Sequence, residues 1–163
     1  MIVIVIIGLV YTLAISKLQN VAQESQTPSF KNLKEYLRSY ISGDAKSATL
    51  LCFDDCSECS IYVDGEEIEK IESFFDESVS LYRYDSFEGV VPLEAKPFFN
   101  DDGVEESLCF SFEVDKNLIS EQVIVVYKNR VYDYTSYFEG SRVYDSLSAF
   151  VEAKESRVYE VLK

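Results

Sequence analysis

Three cysteines offer the first chemistry. Cys52, Cys56 and Cys59 stand with three and then two residues between them, a spacing in which thiolates can hold an iron–sulfur cluster. With Cys109 they also make up the four thiolates of a tetrahedral zinc site. The surroundings argue against the cluster. Glu58 occupies the place before the third cysteine where such motifs usually carry an aromatic residue, and Asp54, Asp55 and Glu58 would crowd the cluster with negative charge. The enzymes that use a triad of this spacing also need most of an α/β barrel, which the roughly 110 residues after Cys52, reading mainly as β, cannot supply.

Composition removes other chemistries. The 163 residues include no His and no Trp but 12 Tyr and 11 Phe, and Lys+Arg 15 against Asp+Glu 29 gives a formal charge of −14. Without histidine there is no Ser-His-Asp or Cys-His catalysis, no His-bearing zinc site and no imidazole base. A chain this acidic repels phosphate backbones, so no nucleic-acid partner is expected. Nothing in the sequence positions two carboxylates for glycoside hydrolysis. No catalytic residue, bound metal or cofactor is expected, and the chain does not read as an enzyme. Hydrophobic residues at 47% nevertheless call for a packed core.

Residues 1–15, MIVIVIIGLVYTLAI, carry no charge, and polarity rises abruptly with Ser16, Lys17, Gln19 and Asn20. Fifteen helical residues span roughly 22 Å, short of a hydrocarbon core of about 30 Å. A buried β-strand suits IVIVII but is an unusual neighbour for the Gln-rich stretch that follows. A cleaved signal peptide would need a basic residue before the run and a small-x-small site after it. A membrane helix would need more apolar length and a basic residue on its other flank.

MIVIVIIGLVYTLAISKLQN resembles the N-terminal helix of the type IV pilin and type II secretion pseudopilin family, entered partway along. Family members carry a short basic leader ending in Gly or Ala, then Phe-Thr-Leu-Ile-Glu-Leu, then an aliphatic stretch that Met1 to Val10 matches, with Gly8 at the recurrent glycine. The resemblance covers about the first 20 residues and implies about six more upstream of Met1, which would bring the helix to spanning length. The leader, the methylated first residue and the fifth-position glutamate of the family have no counterparts in this sequence. The assembly helix implied by the resemblance comprises Met1, Ile2, Val3, Ile4, Val5, Ile6, Ile7, Gly8, Leu9, Val10, Ala14 and Ile15. The implied setting is single-pass in a bacterial inner membrane, with the globular domain in the periplasm and other pilin-like subunits as partners through these helices. The implied function is that of a minor pilin or pseudopilin. A membrane-anchored periplasmic binding or sensor domain that does not assemble is the alternative.

Residues 1–28 are expected to form this helix and a polar connector, and residues 29–163 an α+β globular domain. Ser29 is placed to cap a second, amphipathic helix, FKNLKEYLRSYI, with Phe30, Leu33, Leu37, Tyr40 and Ile41 on one face and Lys31, Lys34, Glu35 and Arg38 on the other. Gly43 is the expected stop. An antiparallel sheet follows: SATLLCF, a hairpin turning at Asp64-Gly65, SVSLYRYD, SLCFSFEV, and a second hairpin turning at Lys128-Asn129. Residues 66–75 fit strand or helix equally well. Residues 90–99, with Pro92 and Pro97, are loop or edge. Asp145 or Ser146 caps a short last helix, LSAFVEAKE, before an apolar end, VYEVL.

In the oxidising compartment that the resemblance implies, cysteines pair. Sequence alone leaves the connectivity open; a tight Cys56–Cys59 bridge across a turn, with Cys52–Cys109 joining two strands, is the expected arrangement. Some pseudopilins bind calcium through loops of the globular domain, and Asn100-Asp101-Asp102-Gly103 offers hard oxygen ligands without the spacing of an EF-hand. The acidic runs read chiefly as solvated surface. Tyr127, Tyr132, Tyr134, Tyr137 and Phe138 read as packing with hydroxyls at the rim. Lys17 and Glu24 cancel, so residues 29–163 carry the whole −14.

Overall fold

The computed structural model describes residues 28–161, save 95, 101, 118, 138 and 139. The apolar stretch Met1–Ile15 and the helix expected there lie outside the described residues. What is described is chiefly antiparallel β-structure, which corrects the α+β expectation. Among the described residues there are eleven strands and two helices, neither of them an apolar N-terminal helix. The alternating β-branched and aromatic runs pair into two sheets that bury one face each against the other, so strands rather than helices make up the main layers.

Helix α1 (Leu33–Arg38) is followed by β1 (Ser47–Phe53), β2 (Glu58–Val63), β3 (Glu66–Glu72), β4 (Ser80–Asp85) and β5 (Gly89–Pro92). Then come β6 (Phe98–Phe99), β7 (Glu105–Glu106), β8 (Leu108–Asp115), β9 (Ile124–Tyr127), β10 (Arg130–Asp133), β11 (Arg142–Tyr144) and helix α2 (Leu147–Val161). One sheet has the order β3-β2-β1-β8, the second β11-β10-β9-β4-β5, and β6-β7 form a separate small ribbon.

Period-two patterning sets the first sheet. Ala48, Leu50 and Cys52 on β1, Cys59 and Ile61 on β2, and Phe110, Phe112 and Val114 on β8 turn one face inward, all essentially fully buried. The Asp64-Gly65 turn closes the β2–β3 hairpin with positive φ at both residues (50° and 91°), as a two-residue loop of this kind requires. The Asp64 carboxylate also accepts from the Lys46 and Ser47 backbone N–H groups (2.9 and 3.0 Å), and these bonds hold its pKa below the usual aspartate value.

The second sheet is covered on both sides. On β9, Val125 faces the main core with Val123 and Tyr134, whereas Ile124 joins Val131 and Phe150 of α2 in a second core. Burial on both faces explains why residues 123–127, VIVVY, are continuously apolar rather than alternating. Phe150 packs edge-on against Tyr84 and Tyr144 (5.8 and 5.6 Å between ring centroids). Helix α2 starts where Ser146 Oγ accepts from Ala149 N–H (3.1 Å), then runs past the expected end, taking in residues 156–161.

Several expected details are corrected. Helix α1 is shorter than predicted and its N-cap is Asn32, whose Oδ1 turns back to accept from Ser29 N–H and Oγ–H (2.7 Å each). Lys34, expected in solvent, is buried with its Nζ donating to the Tyr137 carbonyl (2.9 Å). Residues 66–72 are strand, at the edge of the first sheet. No helix among the described residues is long and apolar enough to cross a membrane, which corrects the single-pass inner-membrane placement. The stretch on which that placement rests is not among them.

Two buried polar links tie the layers. Tyr134, 2% exposed, donates its hydroxyl to the Phe30 carbonyl, and burial pushes its phenol well above the usual tyrosine pKa. Asp133, also 2% exposed, accepts from Thr135 N–H (2.9 Å) and Oγ1–H (2.6 Å) and pairs with Lys154 of α2 (3.5 Å). Asp133→Ala should therefore lower unfolding stability by about 3 kcal/mol by leaving Lys154, which also donates to Thr135 Oγ1, without its counter-charge, measured as a shift in urea midpoint. A loss below about 0.5 kcal/mol would show that the link is solvent-screened. Because the Tyr134 phenol is raised in the folded state, its contribution is complete below about pH 10 and lost as pH rises toward the folded value. Tyr134→Phe should consequently flatten the alkaline limb of stability against pH, and an unchanged limb would contradict the assignment.

Candidate functional site

The four cysteines form two bridges, Cys52–Cys59 and Cys56–Cys109, not the expected pairing. Register gives the reason. Cys52 lies directly opposite Cys59 in the β1–β2 ladder, so both side chains leave the sheet on the same face. A four-residue loop, Asp54-Asp55-Cys56-Ser57, joins these strands, and Cys56 sits in it at φ 66°. In the β1–β8 ladder Phe110 faces Cys52 and Leu108 faces Phe53, which makes Cys109 the extra residue of a bulge. It bonds to Cys56 in the loop. The loop is further held by Asp55, which accepts from Ser57 N–H (3.0 Å) and whose pKa is lowered by its bonds to Ser57. The sequence signal for this pairing was the hairpin itself: once Glu58-Cys59 is assigned to the second strand, Cys52 and Cys59 fall opposite each other.

With every cysteine oxidised, no thiolate remains for iron or zinc. Among the described residues no group of three or more His, Cys, Asp or Glu is arranged to hold a metal ion. In the acidic loop named for calcium, Asn100 Oδ1 accepts from the Asp102 and Val104 N–H groups (3.1 and 2.9 Å) and so closes its own turn. Asp101 lies outside the described residues, as does Phe138. Tyr127, Tyr132 and Tyr134 pack into or against the main core. Tyr137 stays half exposed.

A wide cleft among the described residues lies on the opposite face of the first sheet. Glu58, Ser60 and Tyr62 of β2 point outward there beside Phe53 of β1, and the β6–β7 ribbon folds over them. Phe98 of β6 meets Phe53 and Tyr62 at 5.8 and 5.9 Å between ring centroids. The result is a cleft of about 1020 Å³ with an aromatic floor. Its walls carry six carboxylates (Asp54, Glu58, Glu66, Glu67, Glu105 and Glu106) and one ammonium, Lys70. Lys70 pairs with Glu67 (3.6 Å), which also takes a hydrogen bond from Ser60 Oγ (3.3 Å), and Asn100 Nδ2 donates to Glu106 (2.9 Å). Asp54, Glu58, Glu66, Glu105 and Glu106 form no ion pair with the described residues.

No family model, no curated protein and no solved structure matches this chain.

The two bridges should differ in their effect on stability. In the chain-entropy account, closing 53 residues contributes about 4 kcal/mol and closing 7 about 2 kcal/mol. Cys56→Ser/Cys109→Ser should thus lower the urea midpoint clearly more than Cys52→Ser/Cys59→Ser. Equal losses, or the reverse order, would refute the assigned connectivity.

Proposed function

We propose that this chain is a structural subunit of the pilin-like kind, a minor pilin or pseudopilin, and not an enzyme. In this reading the stretch Met1–Ile15 packs against the same stretch of kindred subunits, with small residues such as Gly8 and Ala14 at the contact. The domain of residues 29–163 is displayed outward. The observation that carries the reading is the pairing of all four cysteines in two bridges within one end of the domain. Such bridges persist in oxidising compartments, where pili and secretion filaments present their subunits. They also leave no thiol for catalysis. The resemblance of the first 20 residues supplies the assembly element.

A second reading, a binding domain that does not assemble, is favoured by the acidic, aromatic-floored cleft. Assembly separates the two. In the native host, the wild-type chain should co-sediment with sheared filaments or with the secretion complex. Gly8→Trp should deplete it from that pellet while a non-reducing gel still shows both bridges formed. A wild-type chain that stays monomeric in every fraction overturns assembly and leaves the binding reading.

A further inference from the structure

We propose that the cleft over β1, β2 and the β6–β7 ribbon is a docking groove for an extended, Lys/Arg-bearing segment of another protein. The inference is independent of whether the chain assembles.

Charge selects the sign of the occupant. Six carboxylates against one ammonium, five of them without an ion pair to the described residues, make covering by a neutral or acidic surface costly. A second copy of this chain, at −14, is repelled. Chemistry then selects the kind of cation. A bare divalent ion needs converging carboxylates, and the described residues hold no such group. The aromatic floor of Phe53, Tyr62 and Phe98, each half-buried, suits instead a cation on an aliphatic stem. A guanidinium or ammonium can sit over a ring while its methylenes cover apolar surface.

Shape selects the length. At about 1020 Å³ the cleft is at the upper end of what a single small ligand fills. Along β2, Glu58, Ser60 and Tyr62 face it at two-residue steps, about 6.8 Å apart. An extended peptide laid along β2 presents every second side chain at the same repeat. Basic residues at alternate positions would therefore meet Glu58 and the ring of Tyr62, with Glu105 closing over them from the ribbon.

The test uses the full chain with both bridges intact and a short fluorescein-labelled peptide with Lys at alternate positions and Ser between, titrated by anisotropy at physiological salt. Saturable binding is expected, tighter than for a peptide of equal composition with its lysines in one block. Glu58→Gln/Glu105→Gln, two exposed and near-isosteric changes, should weaken it about tenfold, and Tyr62→Leu about fivefold. Glu77→Gln/Glu88→Gln, exposed and outside the cleft, should change it less than about twofold. The urea midpoint of each variant checks folding, and if Tyr62→Leu unfolds, the paired Glu→Gln variant decides. Equal weakening by the remote pair would show general charge attraction, and spermine competing as well as the peptide would show a polyamine site. Either result, or no saturable binding, overturns the proposal.

Discussion

Among the described residues the two main sheets share no hydrogen-bonded ladder, so side-chain packing joins their faces, and Phe30 is where they meet. Its ring lies 5.0 to 5.5 Å from those of Phe74, Phe75, Phe110, Tyr127 and Tyr132, which come from both sheets and the segment between them. Each such pair adds about 0.5–1.5 kcal/mol beyond area burial. The Phe30 carbonyl also accepts the buried Tyr134 hydroxyl. Phe30, three residues ahead of α1, thus docks that helix, and the helix then closes the gap between the sheets with Leu33 and Leu37. With no tryptophan in the chain, aromatic packing here is done by Phe and Tyr, and Tyr places its hydroxyl where a carbonyl or the solvent can receive it.

Much of this was legible because the strands obey simple periodicity. Strand β1 falls on the run SATLLCF, and both hairpins turn at the dipeptides expected for them, Asp64-Gly65 and Lys128-Asn129. The illegible part has a definite cause. In residues 66–75 the apolar positions Ile68, Ile71 and Phe74 repeat at three, which imitates a helical turn. The structure shows a register shift at Ile61/Tyr62 in the β2–β3 ladder, and Ile68 is 55% exposed on an edge strand. A bulge had broken the period. The α+β expectation failed for a different reason: it set an N-terminal helix and further helices around one antiparallel sheet, whereas among the described residues only Leu33–Arg38 and Leu147–Val161 are helical and two sheets pack on each other.

The bridges and the cleft were hidden by the same kind of non-locality. Phe53, Tyr62 and Phe98 come together only when the ribbon folds over the outer face of β2, and sequence spacing carries no trace of that closure. The acidic runs were visible, and reading them as solvated surface holds for exposed Glu72 and Glu77. It omits the aromatic rings that share the cleft with Glu66 and Glu105.

The bridges and the cleft occupy opposite faces of one platform, and this has a mechanical consequence. Cys52 and Cys59 lie on the buried face of β1 and β2, one residue along from Phe53, Glu58 and Ser60, which line the cleft on the other face. Cys56–Cys109 adds β8 to the same corner. Like charges at Asp54, Asp55 and Glu58 would by themselves spread the β1–β2 loop, a repulsion that falls off only over the Debye length of about 8 Å. Covalent closure opposes that spreading without supplying a counter-charge. The acidic wall can therefore keep its charge and its geometry together, which a non-covalent turn could achieve only by neutralising some of its carboxylates. A surface held in this way meets a partner with little ordering left to do, so its electrostatic attraction is spent on binding rather than on arranging its own side chains.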